Sequence, residues 1–327
     1  MIAVDYEREE KMAAKKYVIG ADLGGTTCKL GVFTSEGELL EKWEIRTDRR
    51  DNGAFILPNI AEGIEKKLTE MKIKKDGCLG VGIGVPGAVL PGGVVNRCVN
   101  LGWDVVPIEA ELSKLCGLKV RAANDANIAA LGEYWKGGGE GFDSIVMVTL
   151  GTGIGGGIVL GGKLLVGQNG AAGEIGHIVV NPEEKIACGC GNHGCIEQYA
   201  SATGIARAAR EELALSDENS VLRSDKGSIT AKDVFDAAKA GDSLALRVSN
   251  RVLSMLGHTL AVVANTVNPE AFLIGGGVSK AGKFIIDGVR ATFERDAFHA
   301  VRNTKIVLAK LGNDAGIYGA AYLAIED

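Results

Sequence analysis

No apolar run in these 327 residues approaches the roughly 20 that a membrane-crossing helix needs, so no membrane span is expected. The opening segment, MIAVDYEREEKMAAKK, lacks the apolar h-region of a secretory leader. It is expected to form a charged, frayed extension over residues 1–16. Met12 offers an alternative start, because MAAKKYVIG leads directly into the first predicted strand. Basic residues are not in excess: 36 Lys and Arg face 41 Asp and Glu, and the net charge of −5 argues against a nucleic-acid surface. The seven cysteines are odd in number and three crowd one stretch, which excludes a simple disulfide framework and points to a reducing cytoplasm.

Glycine, by contrast, is abundant. Its 47 residues are about twice the ordinary share of roughly 7%, and they gather at the ends of predicted strands, where a backbone turns sharply or meets a ligand closely. The length suggests two domains. A predicted meander takes in strands at 16–21, 28–33 and 39–46. Helical spacing follows over 54–71, then a strand at 79–85, a helix at 106–116, a strand at 118–123 and a helix at 126–135. The meander pattern then restarts at 144–150, 154–160 and 163–166. Two similar halves of this kind would face each other across a cleft. Helices are predicted at 202–214, 231–240, 244–267 and 283–293, with strands at 272–274 and 305–309. A closing helix at 315–325 is apolar enough to pack back on the first half.

The stretch 173–200, GEIGHIVVNPEEKIACGCGNHGCIEQYA, holds Cys188, Cys190, Cys195 and two of the four histidines. Three thiols and an imidazole suit a closed tetrahedral zinc site of structural type. His177 is the preferred fourth ligand; His193 competes, but its neighbours Asn192 and Gly194 read as an exposed turn. Gly189, Gly191 and Gly194 would let the loop aim its sulfurs at one point. A histidine bound through one nitrogen can present the other outward. Glu174, His177 and Glu197 could thus form a polar wall suited to a ligand rich in hydroxyls. The residue chemistry alone leaves open the alternative, that both glutamates are surface or supporting residues.

Glycine patterns of the GxGxxG type begin at Gly82 and Gly151, but no predicted helix follows either, which excludes a dinucleotide fingerprint. A P-loop reading of 157–163 fails because Leu164 stands where a hydroxyl should hold magnesium. Gly24-Gly25-Thr26-Thr27 and Gly151-Thr152-Gly153 instead offer free backbone N–H groups to phosphate. Asp22, just before the first turn, is placed to hold Mg²⁺. At Gly275-Gly276-Gly277 the missing side chains would let a base or ribose lie on the backbone. Asn124-Asp125 ends a strand at the presumed cleft. There Asp125 reads either as a helix cap or as a base for an attacking hydroxyl.

In sequence order, Asp22-Leu23-Gly24-Gly25-Thr26, Asn124-Asp125-Ala126-Asn127, Leu150-Gly151-Thr152-Gly153-Ile154-Gly155, Gly173-Glu174-Ile175-Gly176-His177 and the loop Cys188-Gly189-Cys190-Gly191…Gly194-Cys195-Ile196-Glu197 resemble the ROK family of repressors and sugar kinases, from about Tyr17 to the end. The resemblance implies an α/β, actin-like (ribonuclease H-like) two-domain phosphotransferase fold, with an interdomain cleft and a zinc-bound loop. The smaller domain would be 17–123, with 313–327 packing back on it. The larger would be 124–312, including the loop 177–195. It further implies sugar phosphorylation from Mg²⁺-ATP, with Asp125 as base. Asn124, Asp125, Glu174, His177, Glu197, Gly87 and Asn100 would meet the sugar. His177, Cys188, Cys190 and Cys195 would hold zinc. Asp22, Gly24, Gly25, Thr26, Thr27, Gly151, Thr152, Gly153 and Gly275 to Gly277 would meet the nucleotide. The loop Cys-Gly-Cys-Gly-Asn-x-Gly-Cys-x-Glu is most similar to that of bacterial glucokinases. Rival substrates are N-acetylmannosamine, mannose, allose and fructose, and rival partners include DNA, as in a sugar-sensing regulator. About sixteen residues ahead of the first strand are too few for the family's helix-turn-helix domain. A homodimer or homotetramer is expected. Loss of the metal is expected to loosen the sugar wall and to spare the glycine turns.

Overall fold

The computed structural model describes residues 16–223 and 229–326. The expected extension and the alternative start at Met12 lie outside them, except for Lys16. β1 (Tyr17–Leu23), β2 (Thr27–Thr34) and β3 (Leu39–Arg46) form an antiparallel meander. The helix α1 (Ile56–Glu70) follows, burying Ile56, Ile60, Ile64 and Leu68 at a four-residue spacing that keeps them on one face. Next come β4 (Cys78–Val85) and a small antiparallel sheet of β5 (Val89–Leu90), β6 (Val94–Cys98) and β7 (Trp103–Val106). Then α2 (Ile108–Cys116), β8 (Val120–Asn124) and α3 (Asp125–Lys136) complete this region. β4 and β8 add in parallel to β1, so the sheet is mixed and ordered β3-β2-β1-β4-β8.

The second region opens with β9 (Ile145–Leu150), β10 (Ile154–Leu160) and β11 (Lys163–Leu164). It continues through α4 (Ala202–Leu215), α5 (Ala231–Lys239), the 25-residue α6 (Ser243–Val267), β12 (Ala271–Gly275), α7 (Lys283–Asp296) and β13 (Lys305–Leu308). β10 pairs antiparallel with β9, and β12 and β13 add in parallel. The order β11-β10-β9-β12-β13 repeats that of the first sheet. α6 buries Leu244, Val248, Val252, Leu256 and Leu260 in a core that includes the edge-to-face pair Phe272 and Phe293.

Packing divides the chain into two compact units. One holds the described residues up to Glu140, Leu164–Ala172 and the segment from Asn313; the other holds Gly141–Lys163 and Gly173–Gly312. The boundary expected at 123/124 therefore falls inside the first unit. The reason is α8 (Ala315–Leu323), which lies so close to α3 that a Cβ at Gly319 would collide with the Ile128 carbonyl. α8 meets β4 as intimately, since a Cβ at Gly82 would strike the carbonyl of Ala320. The β5-β6-β7 sheet has no counterpart in the sequence expectation. Among the described residues, no helix is long and apolar enough to cross a membrane.

Candidate active site

In the second unit, His177, Cys188, Cys190 and Cys195 bring their ligand atoms within 4.8 Å of one another. Cys188 Sγ lies 3.7 Å from His177 Nδ1, and Cys190 Sγ lies 3.7 Å from Cys195 Sγ. Metal–ligand bonds of roughly 2.1–2.3 Å at tetrahedral angles give ligand–ligand edges of about 3.6–3.8 Å, so the residues fit zinc. Short antiparallel bridges, Val179 with Cys195 and Ala187 with His193, fold the loop over. His193 is exposed and outside the cluster. Gly191 and Gly194 have positive φ, whereas Gly189 does not and has open space about it, so only two of the three glycines are required by the fold of the loop. His177 turns Nε2 toward Glu174, 3.9 Å from its Oε2. Glu184 ties the loop to the residues that follow it: it accepts from Tyr199 Oη at 2.7 Å and from Arg207 Nη2 at 2.9 Å. These donors, with the Ile186 N–H, hold the Glu184 carboxyl down at about 2, the backbone N–H counting most.

Glu197 begins the single turn Glu197–Ala200, two residues after the last cysteine. Its Oε2 accepts the Ile154 N–H at 2.8 Å, and its Oε1 lies 3.8 Å from Cys188 Sγ. A Cβ at Gly153 would collide with this carboxylate. What the glycine at 153 makes room for is therefore Glu197. Gly151 and Thr152 of the turn line a cavity of about 490 Å³, which also meets Thr230, Phe235, Lys239 and Gly277. Its size falls within the ordinary range for small-molecule sites. Gly277 lines it, but Gly275 packs toward Met147 and Gly276 is bent beneath the Leu150 carbonyl. Among the described residues, the N–H groups of Thr152 and Gly153 have no protein acceptor. These are donors suited to an anion.

The first unit carries the other turn. Gly25, Thr26 and Asn100 line an open cavity of about 890 Å³ together with Arg46, Arg49 and Arg50. Asp48 ties down Arg50, and Arg49 reaches the Asn100 carbonyl at 3.4 Å. Asp22 ends β1 against Gly316, where a side chain would not fit. Burial raises its carboxyl to about 6, the charge of Asp125 pushes the same way, and Lys29 opposes. Asn124 caps α3: its Oδ1 accepts the Ala126 N–H at 2.9 Å and its Nδ2 donates to the Gly87 carbonyl at 3.1 Å. Asp125 Oδ1 shares the same Ala126 N–H at 2.8 Å. Desolvation raises the Asp125 carboxyl above its usual range, against the pull of that N–H and of Asn124. Its side chain is nonetheless reached by solvent. A carboxylate that is desolvated yet accessible suits a general base.

Sequence reasoning missed the cavity-lining Thr230, Phe235 and Lys239. The available signal was a cap-and-stripe pattern, Thr230 with Asp233 as a capping box ahead of an apolar face. That pattern finds the helix but not what its outer edge borders.

Two units with sheets of one repeated mixed order, one bearing a Cys₃His cluster and a glycine turn on a cavity, define an α/β two-domain protein of the sugar-kinase type. The family model described as "ROK family" matches residues 18–327, and the chain belongs to that family. It is 46% identical to a glucokinase of Halalkalibacterium halodurans over 94% of each chain. It is 39% identical to a glucokinase of Thermotoga maritima, over 95% of this chain and 98% of the relative. Among solved structures it resembles a ROK family glucokinase from Streptomyces griseus in complex with glucose and AMPPNP. The TM-score there is 0.74 at 35% identity, covering 95% of this chain and all of the other.

Proposed function

We propose that the chain is an ATP-dependent glucokinase, transferring the γ-phosphoryl group of ATP to the 6-hydroxyl of D-glucose to give glucose 6-phosphate and ADP. The observation that carries this reading is the cavity of about 490 Å³ lined by Gly151, Thr152 and Gly277, in a chain 46% identical to a glucokinase. The repeated sheet order supports the actin-like reading of the fold.

In this reading Asp125 takes the proton of the attacking hydroxyl. Its raised pKa makes it a stronger base than a free carboxylate, and the Ala126 N–H fixes its aim. Asn124, Gly87, Asn100, Glu174, His177 Nε2 and Glu197 Oε1 are the candidate hydrogen-bond partners of the sugar hydroxyls. Thr26, Thr27 and the N–H groups of Gly25, Thr152 and Gly153 hold the donor phosphates. Asp22 holds Mg²⁺, which supplies charge neutralisation on those phosphates. His177 Nδ1, Cys188, Cys190 and Cys195 hold zinc, whose role is to fix the loop.

The test is a coupled assay across a panel of hexoses and phosphoryl donors. Glucose with ATP is expected to give the highest kcat/KM. A tenfold preference for N-acetylmannosamine, mannose, allose or fructose would overturn the choice of sugar. No phosphorylation of any hexose would overturn the kinase reading.

A further inference from the structure

We infer that Thr47 and Thr203 are positioning residues for the phosphoryl donor, each drawing a carbonyl of a glycine turn away from the side that phosphate approaches. The inference rests on the reading of the turns 24–27 and 151–153 as phosphate-binding. A trans peptide is planar, with its C=O and N–H pointing in opposite directions. Fixing the oxygen of one peptide therefore aims the N–H of the next residue.

In the second unit the Thr203 hydroxyl donates to the Thr152 carbonyl at 2.9 Å, and this fixes the Gly153 N–H. The Ala202 N–H donates to the Gly151 carbonyl at 2.8 Å and so fixes the Thr152 N–H. The third carbonyl, that of Gly153, is taken by the Gly151 N–H at 2.9 Å. All three oxygens of the turn are engaged, and the Thr152 and Gly153 N–H groups are left without a protein acceptor among the described residues. Ser201 completes the set: its Oγ accepts the Gly204 N–H at 3.0 Å and lies 3.0 Å from Thr203 Oγ1. Because Thr203 spends its proton on Thr152, the Ser201 hydroxyl donates to Thr203.

The first unit has the same device from an unrelated stretch of chain. Thr47 Oγ1 donates to the Gly24 carbonyl at 2.7 Å, which fixes the Gly25 N–H. The Thr47 N–H donates to the Thr26 carbonyl at 2.9 Å, and the Gly24 N–H takes the Thr27 carbonyl at 2.9 Å. Thr47 is buried, 7% exposed, so its hydroxyl is placed for this bond rather than for water. In each turn a threonine hydroxyl takes one carbonyl oxygen, that of Thr152 or of Gly24. A carbonyl oxygen left free beside a phosphate repels it, and each threonine removes one such repulsion.

The test is direct titration of ADP, a non-hydrolysable ATP analogue and adenosine on the wild type and on Thr203→Val, Thr203→Ser, Thr47→Val and Thr47→Ser. Valine keeps the shape and removes the hydroxyl. Each valine variant is expected to bind the ATP analogue about three- to tenfold more weakly, the worth of one hydrogen bond. Adenosine affinity should stay within about twofold of wild type, and serine should restore phosphate binding. Should a valine variant fail to fold, alanine at the same position is titrated with the same expectation. Equal losses for adenosine and the analogue would show a general structural effect and overturn the inference. So would unchanged affinity for the analogue in both valine variants. A wild type that binds ADP no better than adenosine would instead overturn the phosphate reading of the turns themselves.

Discussion

Glu197 Oε2 accepts the Ile154 N–H at 2.8 Å, across 43 positions of sequence, and so bolts the Cys₃His loop to the glycine turn 151–153. Ile154 is buried, and removing its acceptor leaves an unsatisfied N–H, costing about 1–3 kcal/mol. Glu197→Ala should therefore lower stability by that amount in urea denaturation and raise KM for both ATP and glucose. Glu174→Ala, at an exposed position, should raise KM for glucose alone. Gly153→Ala should behave like Glu197→Ala, because its methyl group would displace the same carboxylate. A Glu197→Ala enzyme with unchanged KM for ATP would show that the bond transmits nothing.

Metal removal is the second test. The loop was expected to fail without disturbing the glycine turns, but Glu197 follows Cys195 by two residues and reaches the turn directly. Cys190→Ser, or a strong chelator, should therefore weaken the binding of an ATP analogue measured without sugar, as well as raising KM for glucose. Far-UV circular dichroism should remain near native, because the core built on α6 does not include the ligands. Verified metal-free protein with wild-type affinity for the analogue would contradict the coupling.

Asp125→Asn should lower kcat by about 10²–10⁴, the usual contribution of a positioned base, while glucose still binds. The amide can still accept the Ala126 N–H, so α3 should keep its cap and the melting temperature should hold. A variant within about threefold of wild type in kcat would remove Asp125 from the chemistry.

Asp22 links stability to pH. Its carboxyl stands at about 6 in the folded protein against an ordinary 3.8, because burial and the charge of Asp125 disfavour ionisation. A raised carboxyl holds its proton more tightly folded than unfolded. Its contribution is fully present below pH 3.8 and is lost as pH rises through about 6. Above that, ionised Asp22 destabilises the protein by on the order of 3 kcal/mol at most. Asp22→Asn should thus be more stable than wild type at pH 8 and equal to it near pH 3.5, by urea denaturation. It should also lose activity that added Mg²⁺ restores only in part. A stability gap independent of pH would refute the buried-carboxylate account.

Local pattern alone marks the Cys₃His cluster, both glycine turns and the long helix α6. Each is written in local pattern: four ligands within nineteen positions, Gly/Thr clusters at strand ends, and apolar residues at helical spacing. Periodicity also exposed the two repeated meanders, because a strand's alternation and the turn after it need no partner to be read. What the motifs touch is set by packing between distant segments. Gly153 looked small for the sake of a phosphate, and the fold puts Glu197 beside it. Gly275 looked like a nucleotide contact, and it packs against Met147. The strands of the β5-β6-β7 sheet are two to five residues long, too short for their alternation to stand out. The 140/141 boundary exists because small residues let α8 and α3 meet backbone to backbone. Local propensity and turn chemistry act over a few residues and are legible in order. Hydrogen bonds such as Glu197 to Ile154 and Thr203 to Thr152 join distant segments, and only the packing of the whole unit brings their atoms together.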